Sequence, residues 1–233
     1  MRRLAILSFA ATLLLSQPAA EVEITAEPHH HFAFENQSVR VFKVEVAPRS
    51  ETLMHWHRHD YIFVTLGASH VSNDVKGKAP VELTLPDGDT RFLAGPILHL
   101  ARNLSDQPFR NVTIELLEDD KLRQSAASVH WDEERGLDIL QGGTREVLFV
   151  KDGVRVSEVE LQPGGVVPMH HHKGGHLFVA VSDLDLKEAG TAGRPQMQGH
   201  FQSGDSRWLA GNYSHSITNV GRRPARFVTL EFP

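Results

Sequence analysis

Four of the chain's fifteen histidines fall within the seven residues HHHKGGH at positions 170–176. Imidazole nitrogen is a metal donor of intermediate softness, suited to Fe, Ni, Cu and Zn. In an extended strand, residues two apart share a face. His170 and His172 therefore point to one side and His171 to the other. After the Lys173-Gly174-Gly175 turn, His176 falls on the same side as the first pair. A fourth imidazole of the right kind lies far along the chain at His215. These four, His170, His172, His176 and His215, are the candidate metal ligands, and His171 is expected to stand outside the site. With no cysteine in the chain, thiolate ligands, cysteine nucleophiles and disulfides are all excluded.

The elements that carry these residues occur twice. FENQSVRVFKVEVAPRSETLMHWH from Phe34 repeats as FVKDGVRVSEVELQPGGVVPMHHH from Phe149 at an offset of 115. GDTRFLAGPILHLARN from Gly88 repeats as GDSRWLAGNYSHSITN from Gly204 at an offset of 116, and PFRNVTIEL matches PARFVTLEF at the close of each copy. Fixed-period self-similarity marks a duplicated architecture. The short runs rich in Val, Phe and Leu, punctuated by PDGD, SGD, PRS and PGG, predict an antiparallel barrel or jelly roll in each copy. VRVFKVEV and VRVSEVEL are expected to be single strands with two different faces.

The His-x-His of the first segment, followed by G-D-x(5)-G-x3-H-x3-N in the second, resembles the two motifs of the cupin superfamily, and the duplication resembles a two-domain cupin, or bicupin. The likeness covers nearly all of the chain after its N-terminal segment. Its matching residues are His170, His172, His176, His215 and Asn219 in the second copy, and His55, His57, Tyr61, His99 and Asn103 in the first. The resemblance implies an all-β molecule of two tandem double-stranded β-helix (jelly-roll) barrels, each able to hold a divalent transition metal (Fe, Mn, Ni, Cu or Zn) through its motif histidines. Where the family places an acidic ligand, this chain has His176 and Tyr61. Neutral imidazoles leave the metal's double charge uncompensated, which favours anionic ligands and Lewis-acid chemistry. His55, His57, His99 and Tyr61 form the candidate second metal site, with His59 and Asp60 nearby.

The expected organisation is a signal peptide at 1–20, an N-terminal arm at 21–33, barrel 1 at 34–117, a linker at 118–143 and barrel 2 at 144–233. Arg2 and Arg3, the apolar run Leu4 to Leu15 and the small residues Ala19 and Ala20 have the anatomy of an export signal. About a dozen apolar residues are too few to span a bilayer, which needs roughly twenty. The mature chain is expected to be exported and free of the membrane. His29, His30 and His31 are expected in a solvated arm.

A net charge of −5, with Lys and Arg scattered, argues against nucleic acid and for a small-molecule partner. Arg91, Arg207 and Trp208 are candidates for substrate contact, with pairing of the arginines to Glu115 and Glu231 or other repeated acids, and core packing of the tryptophan, as the competing expectations. Asn103 and Asn219 are expected to fix the loops after the motif histidines through side-chain to backbone bonds. The leading functional expectation is an exported metal-dependent oxidoreductase of the dioxygenase type. The alternatives are a non-catalytic metal or small-anion binding protein and a metal-assisted lyase or isomerase. Self-association into a homo-oligomer is left open. Because metal-bound imidazole must be deprotonated, affinity is expected to fall toward and below about pH 6.

Overall fold

The computed structural model describes residues 21–118, 136–190 and 197–233. The expected signal peptide and most of the expected linker lie outside the described residues. The first half contributes β1 (Glu21–Glu23), β2 (His30–Glu35), β3 (Val39–Val46), β4 (Met54–His57), β5 (Tyr61–Leu66), β6 (Ser69–Val75), β7 (Val81–Leu85), β8 (Thr90–Leu93), β9 (Ile97–Asn103) and β10 (Phe109–Leu116). They form two five-stranded sheets, β1-β4-β9-β6-β7 and β2-β3-β10-β5-β8. The second half contributes β11 (Leu137–Lys151), β12 (Val154–His172), β13 (His176–Ala180), β14 (Leu184–Gly190), β15 (Met197–Phe201), β16 (Ser206–Leu209), β17 (Tyr213–Asn219) and β18 (Ala225–Glu231). Here one sheet runs β15-β14-β17-β12-β18-β13-β16, with β11 paired to β12. Among the described residues the helical content is a single 3-10 turn at Ile24–Ala26, and no helix is long and apolar enough to cross a membrane.

Two segments expected to lie outside the barrels are strands. Residues 21–33 supply β1, which pairs in parallel with β4, and the start of β2, which pairs with β3. β11 begins inside the expected linker and pairs along β12. Polar composition hid β1, whose sequence is Glu-Val-Glu, and the Gly142-Gly143 pair gave the start of β11 the look of a linker end.

The strand faces explain the hydrophobic pattern. In β3, Phe42, Val44 and Val46 fill barrel 1 together with Val71, Leu85 and Phe109. Val39 and Val41, on the opposite face, join a core shared between the two barrels. β12 does the same in the second half: Val159 and Leu161 pack inside barrel 2, while Val154 and Val156 face the shared core. The expected two-faced strands are thus seen. The shared core is built of repeat-related pairs: Val39 with Val154, Val41 with Val156, Ile62 with Leu177, Val64 with Val179, Leu66 with Val181, Val112 with Val228, Ile114 with Leu230, and Leu116 with Phe232. Its rim is reciprocal too. Arg226 of barrel 2 reaches Asp87 of barrel 1 at 2.7 Å, and the matching Arg110 of barrel 1 donates to the Ser203 carbonyl of barrel 2 at 3.2 Å.

Asn103 and Asn219 clamp the loops as expected. Asn103 Nδ2 donates to the Val46, Ala47 and Gln107 carbonyls, and Asn219 Nδ2 to those of Leu161 and Arg223. Each carboxamide oxygen accepts from the loop backbone two residues on, at Ser105 and Gly221.

Candidate metal centres

In barrel 2 the C-terminal end of β12 carries His170 and His172, and the antiparallel neighbour β17 brings His215 directly opposite His170. Donor atoms of these three residues lie within 4.8 Å of one another. His172 Nε2 stands 3.0 Å from His215 Nε2, which stands 3.1 Å from His170 Nε2. Every Nδ1 faces an acceptor on the outer side: the Pro168 carbonyl for His170 at 2.8 Å, Glu231 for His172 at 3.0 Å and Glu188 for His215 at 2.9 Å. These acceptors hold the proton on Nδ1, so the three Nε2 lone pairs point at each other. Three converging lone pairs repel unless a cation lies among them. Ligands at right angles and about 2.1 Å from a metal stand roughly 3.0 Å apart, so the observed spacing fits one. The carboxylate behind an imidazole is also the usual support of a metal-bound histidine.

His176 opens β13, and its ring stacks on that of His172 with centroids 3.8 Å apart and planes at 17°. Its Nε2 lies 3.3 Å from Tyr213 Oη and its Nδ1 is buried without a hydrogen-bond partner. It borders the convergence point and stands outside the group of three whose donor atoms cluster. His171 is exposed and contacts Ser214, on the far face of the strand as parity requires. Burial lowers His170 to about 4 and His176 to about 3, with neighbouring imidazoles adding to the effect. Burial opposes ionisation of Glu231, but its hydrogen bond to His172 and the charges of Arg155 and Arg145 outweigh it and hold its pKa low. The expectation of a fully uncompensated metal charge is thereby corrected: Glu188 and Glu231, one atom layer behind the imidazoles, offset part of it.

Barrel 1 repeats this plan in part: its rings are placed alike, but the donor atoms that cluster within 4.8 Å are those of His30, His55 and His57, with His99 outside that group, and His57 Nδ1 is buried without a hydrogen-bond partner. His55 lies opposite His99 as His170 lies opposite His215. Ring centroids of His55, His57 and His99 form a triangle of 4.6, 5.1 and 5.1 Å, against 4.6, 4.7 and 5.0 Å for His170, His172 and His215. Tyr61 stacks on His57 at 3.9 Å, in the place of His176 on His172. His55 Nδ1 donates to the Leu53 carbonyl at 2.8 Å and His99 Nδ1 to Asn73 at 2.6 Å. Their Nε2 atoms are buried without a hydrogen-bond partner, an expensive state for a polar group that a bound cation would relieve. Asn73 and Glu188 match at the repeat offset, as do Glu115 and Glu231. Glu115 stands 3.8 Å from His57 Nδ1, and burial raises its pKa despite Arg40 beside it. Burial likewise lowers His55 to about 4, His99 to about 3 and His57 well below its ordinary value, and it raises Tyr61. Asp60 is buried and accepts from the Gly95 backbone N–H, turned away from the histidines.

Each histidine cluster opens on a cavity inside its barrel, about 300 Å3 in barrel 1 and about 90 Å3 in barrel 2. Arg91 and Phe63 line the first, and Arg207, Arg145 and Phe178 line the second. Arg91 pairs with Asp89 at 2.8 Å, not with Glu115, whose partner is Arg40 at 3.1 Å. Trp208 does not reach the cavity as a substrate contact would. Strand alternation turns it the other way from Arg207, and it packs on Phe232 and the shared core. Trp56 also faces outward, under the Arg58 guanidinium at 4.2 Å.

One residue expected in a solvated arm is part of this chemistry. His30 lies on β2 with its side chain 5% exposed, and its donor atom falls within 4.8 Å of those of His55 and His57.

No family model matches the sequence, and no curated protein does. Solved structures do match. A Lactobacillus farciminis oxalate decarboxylase in a formate complex superposes with a TM-score of 0.62 at 15% identity, covering 88% of this chain and 84% of that one. A tryptophan-to-tyrosine variant of Bacillus subtilis oxalate decarboxylase gives a TM-score of 0.62 at 12% identity, with 87% and 74% covered. The Bacillus subtilis enzyme at pH 4.6 gives 0.61 at 12% over the same shares. At these identities the likeness establishes the fold.

Proposed function

The chain has the fold of a two-domain cupin, and on that fold we propose an exported, metal-dependent oxidoreductase of the dioxygenase type acting on a small anionic or chelating substrate. The observation that carries the reading is the convergence of the His170, His172 and His215 Nε2 lone pairs, each with its Nδ1 already committed to an acceptor. A divalent transition metal held there (Fe, Mn, Ni, Cu or Zn) would supply Lewis acidity and, for a redox-active ion, one-electron chemistry.

The chain's own groups have separable tasks. Glu231 and Glu188 fix the orientation and tautomer of His172 and His215. Arg207 and Arg145 line the cavity wall; Arg145 donates to Asp138 at 2.8 Å, and Arg207 is the guanidinium assigned to a substrate carboxylate. Phe178, Phe227, Leu186 and Ile217 make much of the remaining wall apolar, beside the polar Gln198 and Thr229. The relative from Lactobacillus farciminis is described with formate, a small carboxylate of the kind this cavity suits.

The test is metal analysis of the mature protein, followed by oxygen uptake after anaerobic iron loading with chelating enols and small dicarboxylates. Substrate-dependent oxygen consumption is the expected result. Carbon dioxide release that needs no oxygen would instead identify the lyase alternative, and tight metal binding with no turnover the binding-protein one. Failure to bind any transition metal would sink the oxidoreductase and lyase readings and leave only small-anion binding. Export is checked by N-terminal sequencing of the protein recovered outside the cytoplasm, which should begin near Glu21.

A further inference from the structure

The strand that precedes each barrel places one side chain beside the histidine cluster, and that side chain differs between the copies. In barrel 1, β2 pairs with β3 so that His30 lies opposite Val44. In barrel 2, β11 pairs with β12 so that Arg145 lies opposite Val159. Val44 and Val159 are repeat-related at the offset of 115, and so are His30 and Arg145. Both strands carry a register shift at the same point, between Phe32 and Phe34 in one and between Val147 and Phe149 in the other. The two positions are equivalent, and they hold an imidazole in one barrel and a guanidinium in the other. A guanidinium cannot ligate a cation; an imidazole can.

Resting on the reading of the barrels as metal sites, we infer that His30 is a metal ligand of barrel 1, giving that barrel an imidazole from outside its two sequence motifs, with its donor atom clustered with those of His55 and His57. The His30 ring lies 4.7 Å from the His55 ring and 6.0 Å from the His57 ring. Its Nδ1 donates to Glu27 at 2.6 Å, so Nε2 is the nitrogen left to bind. That is the arrangement of His215 with Glu188 and of His172 with Glu231. Glu27 itself is fully buried at its side chain, and it also accepts from His29 Nδ1, the His29 backbone and the Leu53 backbone. One carboxylate thus ties the N-terminal segment to the start of the strand that carries His55 and His57. The buried, partnerless Nε2 atoms of His55 and His99 face the same region.

The experiment uses the mature chain with His170→Ala and His172→Ala, which confines metal to barrel 1. In that protein 15N NMR of the imidazoles follows His30 Nε2 during zinc titration, and cobalt absorption reports the ligand field. Expected are a zinc-dependent shift of His30 Nε2, a loss of at least about tenfold in zinc affinity on His30→Ala, and recovery of the cobalt spectrum when free imidazole is added to that variant. The NMR readout needs no change at His30, so it stands even if His30→Ala folds poorly. Zinc uptake with His30 Nε2 unmoved and affinity unchanged by His30→Ala overturns the inference and leaves the proposed function standing. Absence of zinc from barrel 1 while the unmutated chain binds at barrel 2 overturns it as well. Absence of metal from both barrels overturns the proposed function with it.

Discussion

At the scale of single residues, the proposed centre of barrel 2 rests on three imidazoles and the acceptors behind them. His172→Ala or His215→Ala is expected to abolish metal binding there while the circular dichroism spectrum stays that of a β protein; loss of the fold would mean a structural metal. Glu188→Gln keeps an acceptor but removes the charge behind His215, and a loss of about 10- to 100-fold in metal affinity is expected by titration. Protons bear on the same residues. Imidazoles buried in the neutral form have folded pKa values below the unfolded value, so the unfolded chain binds more protons between the two. His55, His99, His170 and His176 therefore add nothing to pH dependence above about 6.5, and cost stability as pH falls from there to about 4 and 3. Thermal melts of the metal-free protein should show a plateau near neutrality and a falling midpoint from pH 6.5 to 4. The same burial moves proton competition at these positions from the ordinary imidazole range near pH 6 down to about 4. The histidines were legible because parity and repetition are sequence properties. Of their supporting residues, Asn73 and Glu188 were not, since they are different residue types at matching places and leave no self-similarity; Glu231 was visible as the repeat of Glu115, but with Arg207 rather than His172 as its expected partner. His30 escaped for the same reason, its counterpart being Arg145.

At the scale of elements, β12 explains how distant sequence is brought to one point. Its first half pairs with β18 and its last residues pair with β17, after a register shift between Val167 and His170. The loop that follows β17 is held by Asn219, whose carboxamide makes two bonds to carbonyls and one to the Gly221 backbone N–H. Asn219→Ala leaves those buried backbone groups unpaired, and a loss of about 2–3 kcal/mol is expected in denaturant unfolding of the metal-free protein. Strand existence, the motif asparagines and the two-faced character of β3 and β12 were all readable from alternation and punctuation. β1 and the start of β11 were not, because Glu-Val-Glu has the composition of a loop and Gly142-Gly143 interrupts the apolar pattern of β11. Trp208 shows the limit of reading a motif as a unit: Arg207 and Trp208 are neighbours in sequence and face opposite sides of β16.

At the scale of the molecule, sixteen buried apolar side chains join the barrels, eight from each. Ile114→Ala or Leu230→Ala, at matched positions in this core, should each cost roughly 2–5 kcal/mol. Because each lies between the halves, calorimetry of the metal-free variant should still show one cooperative transition, displaced to lower temperature; two resolved transitions would mean that the barrels unfold independently. That a shared core exists was not apparent from the repeat alone, which shows that two similar units are present and says nothing of which faces meet. The reciprocity of this contact is that of a symmetric pair. A surface in which each residue meets the counterpart of its own partner is the geometry of a twofold homodimer. The halves of this chain meet as two separate, identical subunits would, with Arg226 on Asp87 answered by Arg110 on Ser203. The contact has the symmetry that a self-pairing protein of half this length would use.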